Sequence, residues 1–307
     1  MKKSYYSVAA GIAILLFFVA NRPASHPYGL VTGTPEIKSI SALAFGPDGI
    51  IFIGDSKSAA VFAVDTKDKT AVEKATALEV KNIDQKIAAA LGTEVKNIRI
   101  QDMAVNPVSK KLYIAVQNVD GTPVLLTVEG DKVQAVSLKE VPFSTSSIAN
   151  APGEDQKDRG GRPLREQVIS DMNFAEGSVM ISGLSNQEFS SSFRRIPFPF
   201  TNKQDQATLE IYHAAHGRYE TNAPIRTFTT AEINGKKYLV ASYTCTPLVL
   251  FPLDELVPGK HVKGRTVGEF GAGNSPLDMV TMKKGDDTYL IMSNSNRPVM
   301  RVKYKRL

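Results

Sequence analysis

The sequence predicts an all-β protein, a single β-propeller of five four-stranded blades, and three observations lead there. Residues 40–55 read as a strand, a Pro47-Asp48-Gly49 turn and a second strand ending at Asp55. Units resembling that hairpin recur with second strands at 51–54, 112–115, 179–182, 238–241 and 289–292. Blades of repeat propellers recur about every 40–50 residues, so each unit here carries a loop insertion. The corners between first and second strands hold Gly, Asn or Asp, as in Asn106-Pro107, Glu176-Gly177, Asn234-Gly235 and Gly285-Asp286. Tight hairpins need such residues because their backbones turn through positive φ.

Third strands are expected at 60–64, 124–128, 193–197, 248–252 and 298–304, and outer strands at 75–80, 133–138, 208–213 and 266–270. The fifth unit ends at Leu307 without an outer strand. Residues 30–38 are therefore expected to supply it, so that the N- and C-terminal strands pair, close the ring and remove its exposed edge. A sixth, degenerate blade within 142–167 is the alternative. Ile83, Ile87 and Leu91 share a helical face, so a helix is predicted over 82–91 with Gly92 as its stop. Residues 144–167, rich in Gly, Asp and Arg, read as a long loop.

The domain division is 1–24 as an export signal or N-terminal membrane anchor and 30–307 as the propeller. Lys2 and Lys3 precede an apolar run from Val8 to Ala20, which is short for the roughly 20 residues of a membrane span. The chain is thus expected outside the cytoplasm, periplasmic, extracellular or held on the outer side of a membrane if the segment stays uncleaved. The 307 residues are 42% hydrophobic, enough for a buried core, and carry a formal net charge of +6. That charge contains no run of five or six Lys/Arg, which argues against nucleic acid as a partner. Cys245 is the single cysteine, so no internal disulfide, no CxxCH haem attachment and no thiolate cluster can form.

The inner strands open alike, with Ile100-Gln101-Asp102-Met103, Ile169-Ser170-Asp171-Met172 and Pro276-Leu277-Asp278-Met279. Innermost strands line a propeller's channel, so Asp102, Asp171 and Asp278 are expected at one height on the axis. There they either hold a divalent cation such as calcium or tie neighbouring blades through backbone N–H groups. No cofactor beyond such a cation is expected. Second-strand exits share that face and carry Asp55, Asn118, Asn186 and Asn294. The segment 212–222 adds His216 and Tyr219, and Arg226 precedes the fourth inner strand. These seven are the expected ligand-binding residues. His213 and His216 have HxxH spacing, which outside a helix does not by itself put two imidazoles on one metal. Arg194-Arg195 and Arg162/Arg165 are candidate anion clamps, and no catalytic residue can be assigned.

The hairpin Ala44-Phe45-Gly46-Pro47-Asp48-Gly49-Ile50-Ile51-Phe52-Ile53-Gly54-Asp55 resembles those of NHL-repeat and gluconolactonase-like propellers. The resemblance covers about one blade. It implies a propeller and, from the gluconolactonase-like side, a channel cation held by Glu, Asn and Asp. Asp102, Asp171, Asp278 and Asn186 are the nearest counterparts, while the early glutamate has no clear match. Two functions follow as expectations. The first is an exported cell-envelope propeller that binds a partner protein or small polar ligand on its loop-rich face. The alternative is a divalent-cation-dependent, lactonase-like hydrolase with its metal at the channel mouth.

Overall fold

The computed structural model describes residues 26–307 except Thr246. The expected leader, 1–24, lies outside the described residues. Strands form where Val, Ile, Leu, Phe and Tyr cluster between turn residues, and consecutive positive-φ residues close three of the hairpins. These are Asp48 (53°) with Gly49 (75°), Glu176 (52°) with Gly177 (70°), and Asn234 (53°) with Gly235 (77°).

In chain order the first strands are β1 (Val31–Gly33), β2 (Ala42–Phe45), β3 (Ile51–Asp55) and β4 (Ala60–Val64), followed by helix α1 (Ile83–Ala90). Next come β5 (Ile98–Val105), β6 (Leu112–Asn118), β7 (Pro123–Glu129), β8 (Lys132–Ala135) and β9 (Val141–Ser147). The third group is β10 (Asp171–Ala175), β11 (Ser178–Leu184), β12 (Ser191–Pro197), β13 (Asp205–His213) and β14 (Arg218–Glu220). The fourth is β15 (Thr227–Ile233), β16 (Lys236–Ser242), β17 (Pro247–Pro252), β18 (His261–Lys263) and β19 (Arg265–Glu269). The last is β20 (Pro276–Lys284), β21 (Asp287–Asn294) and β22 (Met300–Lys303).

These strands make five sheets arranged as the blades of a propeller. Blade 1 is ordered β2-β3-β4-β9-β1 from the axis outward, blade 2 is β5-β6-β7-β8, and blade 3 is β10-β11-β12-β13-β14. Blade 4 is β15-β16-β17-β19 and blade 5 is β20-β21-β22, while β18 runs parallel to β13 on the outside of blade 3. The inner strand β2 touches both β5 and β10, β10 touches β15, and β15 touches β20. Around the axis the blades therefore run 2, 1, 3, 4, 5, with the first two exchanged relative to the chain.

Each boundary along that order holds an apolar core. Ile51, Ile53 and Phe62 of blade 1 pack with Tyr113, Ala115 and Leu125 of blade 2. On its other face, Ile50, Phe52 and Val61 meet Val179, Ile181 and Ile196 of blade 3. Met180, Phe193 and Leu209 of blade 3 join Phe228, Leu239 and Val249 of blade 4. Val240, Leu248 and Leu250 of blade 4 join Met279, Leu290 and Met292 of blade 5. The fifth core is of another kind, because Ile87 of α1 covers Ile114, Val116 and Leu126 on the outer face of blade 2. At about 1.5–3 kcal/mol per buried large apolar side chain, these layers hold the ring together.

Three expectations are corrected. Among the described residues the N- and C-terminal strands do not pair: β1 pairs with β9 in blade 1, and blade 5 has three strands. Residues 75–80 are not a strand; the outer position of blade 1 belongs to β9, which pairs with β4 from Ala60↔Ser147 to Val64↔Phe143. That pairing also uses the stretch assigned to a sixth blade and shortens the long loop. The physical reason is register: Val141 and Phe143 complete the same apolar face as Phe62 and Val64, whereas 71–81 is interrupted by Glu73, Lys74, Glu79 and Lys81. The helix appears where its spacing placed it.

Replacing Ile87 with Ala should lower unfolding stability by about 2–5 kcal/mol, the range for a buried aliphatic truncation. Met103→Ala, on the exposed side of β5, should change it by no more than about 0.5 kcal/mol. Equilibrium denaturation of the two variants checks the contrast.

Candidate functional site

Inner strands enter and second strands leave on one face of the ring, and the sequence-predicted residues gather there. Asp102, Asp171 and Asp278 follow one bonding rule. Each carboxylate accepts the N–H of the next residue: Met103 at 2.8 Å, Met172 at 2.7 Å and Met279 at 2.6 Å. Two of them also reach the neighbouring blade. Leu43 N–H donates to Asp102 at 2.7 Å and Phe228 N–H donates to Asp171 at 2.7 Å. Leu43 follows Ala42 and Phe228 follows Thr227, the two inner strands without an aspartate. A carboxylate from one blade thus serves the N–H of a blade that has none.

The three sit close enough to repel. Burial, then the neighbouring Asp102 and Asp278 charges, raises Asp171 well above the usual carboxylate range despite its two N–H donors. Burial likewise pushes Asp102 up to about 7, with Asp278 adding to it and the Leu43 and Met103 N–H groups opposing. Asp278 is raised mainly by burial. Their oxygens are not gathered within 4.8 Å of one another; among the described residues only His213, His216 and Cys245 form such a three-residue group.

Arg226 stands over the same mouth. Partial withdrawal from water, then the Arg99 and Arg162 guanidiniums, pull it below the usual arginine value against the attraction of Asp171. The mouth is therefore basic at its rim and carries carboxylates beneath. Arg99, at the start of β5, is a residue that sequence reasoning passed over.

The other expected ligand residues divide by exposure. Asp55 is fully buried and accepts from Lys38 N–H at 2.7 Å, Ser39 hydroxyl at 2.5 Å and Ser58 N–H at 3.1 Å, which fixes its own loop. Asn294 donates from Nδ2 to the Met292 and Pro298 carbonyls and accepts from Asn274 at 2.9 Å. Asn118 keeps a buried Oδ1 without a partner, whereas Asn186 is exposed. Tyr219 is exposed, with the Lys263 ammonium 5.2 Å from its ring centre. His216 is bound to Glu220 at 2.6 Å. The Arg194-Arg195 clamp is corrected: Arg194 is fully buried and donates to the Leu184 carbonyl at 3.0 Å, and Arg195 donates to that of Leu253 at 2.9 Å. Arg165 has a buried Nε, and Arg162 is exposed and paired with Asp158 at 2.7 Å.

The seam between blades 5 and 2 differs from every other boundary. The residue after the aspartate position faces the preceding blade, and Leu43, Met172, Phe228 and Met279 are each only 3 to 5% exposed. Met103, the fifth of the set, is 50% exposed. A bulge between Ile100 and Asp102 puts Ile100 on the same side of β5 as Met103, and strand alternation puts Val105 there too, at 40% and 54% exposed. Across the seam β20 exposes Leu277 and Val280, at 59% and 54%. At the strand-entrance end the turns after β6 and before β22 expose Val119 and Val299. Sequence periodicity could not reveal this stripe, because Met103 reads the same as its buried counterparts.

No protein-family model matches the chain, and no curated protein matches its sequence. Among solved structures the chain is similar to Chaetomium thermophilum Raptor, at 11% identity and a TM-score of 0.30 over 89% of this chain. The chain spans 21% of that protein. It is also similar to a chain of the Mitotic Checkpoint Complex, at 9% identity and a TM-score of 0.29 over 96% of this chain and 88% of that one. Likenesses this distant carry no argument about what the chain does.

Asp102 gives a pH test. Its folded value of about 7 exceeds the ordinary 3.8, so the native state holds a proton that the unfolded chain releases across that window. Its contribution is full below about pH 4 and lost as pH rises through about 7. The wild type should lose stability relative to Asp102→Asn over that range, read as the difference between their denaturation midpoints at each pH.

Proposed function

We propose that the chain is a binding propeller that takes an apolar segment of a partner polypeptide into the seam between blades 5 and 2. The observation that carries this is the exposure of Met103 where four equivalent residues are buried. Ile100, Met103 and Val105 on one wall and Leu277 and Val280 on the other offer apolar surface on strands held rigid by their own blades. Grouped exposed apolar residues of this kind mark interaction surfaces.

Charge narrows the partner. Arg99 adjoins Ile100 at the mouth end, with Arg162 and Arg226 near it, and Lys284 continues the Val280 and Met282 row at the other end. Basic groups at both ends of an apolar stripe favour a segment with apolar residues at its centre and acidic residues beside them. The Lys2–Ala20 pattern supports a place in the cell envelope for this encounter. The alternative of cation-dependent hydrolysis, implied by the gluconolactonase-like resemblance, finds its three channel carboxylates already engaged by backbone N–H groups.

A photo-crosslinking residue placed at Met103 or Val280 should capture the same partner from cells, and one at the exposed Val257 should not. With that partner purified, Met103→Glu should weaken binding at least tenfold while leaving the melting temperature unchanged. Adducts no different from the Val257 control, an unchanged affinity, or capture of a second copy of this chain alone would each overturn the reading.

A further inference from the structure

We infer that His213, His216 and Cys245 form a binding site for a divalent transition metal of the zinc type. It lies on the strand-entrance face where blade 3 meets blade 4, at a different boundary from the apolar seam. One ligand atom from each of the three residues lies within 4.8 Å of the other two.

The fold brings them together by a route that the spacing alone does not suggest. β13 and β14 form a hairpin with Ile211↔Glu220, Tyr212↔Tyr219 and His213↔Arg218 in register. Ile211, His213 and Glu220 share one face, and Tyr212 meets Tyr219 edge-on across the other with ring centres 5.2 Å apart. Residues Ala214–His216 make a single 3-10 turn that ends at Gly217, whose φ is +64°. That turn carries the His216 ring back to 4.0 Å from the His213 ring. Cys245 comes from blade 4, in the turn between β16 and β17. Its φ of 63° is a left-handed conformation that costs an ordinary residue roughly 1–2 kcal/mol, and its N–H is anchored on the Asn274 carbonyl at 2.8 Å.

Two further observations point to a ligand. Glu220 binds Nδ1 of both histidines, at 3.1 Å to His213 and 2.6 Å to His216. A carboxylate on Nδ1 fixes the tautomer with its Nε2 lone pair free, as it does for metal-bound histidines. His213 is also 2% exposed, and its Nε2 is buried with no hydrogen-bond partner among the described residues. A buried ring nitrogen in that state costs free energy unless something binds it.

The donor set selects the metal class. Two imidazoles and one thiolate suit zinc and its neighbours, whereas calcium and magnesium require oxygen ligands. Bonds of roughly 2.0–2.3 Å hold such donors about 3–4 Å apart, so closure takes a shift of about an ångström. On binding, the Cys245 thiol releases its proton to solvent and the sulfur becomes the anionic ligand. Three protein ligands leave a fourth position, and the half-exposed His216 places it toward solvent. The metal would tie the β13–β14 hairpin of blade 3 to the β16–β17 turn of blade 4.

The test uses the full chain, stripped with a chelator and titrated with zinc alone. One equivalent should bind, raise the melting temperature, and slow alkylation of the single cysteine at least tenfold. Cobalt in its place should give a thiolate-to-metal charge-transfer band. Cys245→Ser and His216→Ala, both at accessible positions, should keep the fold and lose the zinc-dependent rise. Glu220→Gln should weaken binding by about 10–100-fold, the usual effect of losing an orienting carboxylate. Zinc binding no tighter to the wild type than to Cys245→Ser, or an alkylation rate unaffected by zinc, would overturn the inference.

Discussion

A propeller blade has two apolar faces and one neighbour for each, so the ring depends on every face finding cover. Blades 1, 3 and 4 are covered on both sides by other blades. Blades 2 and 5 stand at the two ends of the order and have one blade neighbour each. Helix α1 resolves part of the problem by laying Ile87 over β6 and β7. It leaves β5 and β20, the strands nearest the axis, with apolar side chains in water. The exposed stripe follows from that arrangement.

The axis is held by a division of labour among side chains. Asp102 and Asp171 reach out to Leu43 and Phe228, and the receiving blades have Ala42 and Thr227 where an aspartate would otherwise compete. Burial raises the affinity of these carboxylates for protons, neighbouring carboxylates add to it at Asp102 and Asp171, and the backbone donors work against the rise. The channel mouth therefore holds charge that responds to pH, beneath the Arg99, Arg162 and Arg226 group.

Much of the architecture was legible in the chain because hairpins write themselves locally. Alternating apolar residues, Asn-Gly and Glu-Gly corners and the repeated Asp-Met pairs gave five inner hairpins and the common face of Asp102, Asp171 and Asp278. What failed was long-range pairing. The outer strand of blade 1 comes from 141–147, after the whole of blade 2, and no local pattern near 75–80 announces that return. The ring order has the same cause. At the site, HxxH spacing gave no reason to join His213 with His216, since the joining depends on Gly217 and on Glu220 arriving from β14. Cys245 belongs to another blade and could be placed only by the assembled structure.

The boundary between blades 5 and 2 is open to water while its counterparts are packed. Single-cysteine labelling tests it most directly. In a Cys245→Ser background, Met103→Cys, Met172→Cys and Phe228→Cys place one thiol at the same position of three boundaries. Met103→Cys should react with a small maleimide at a rate near that of an unfolded control, and the other two should be strongly protected. Equal protection at all three positions would contradict it.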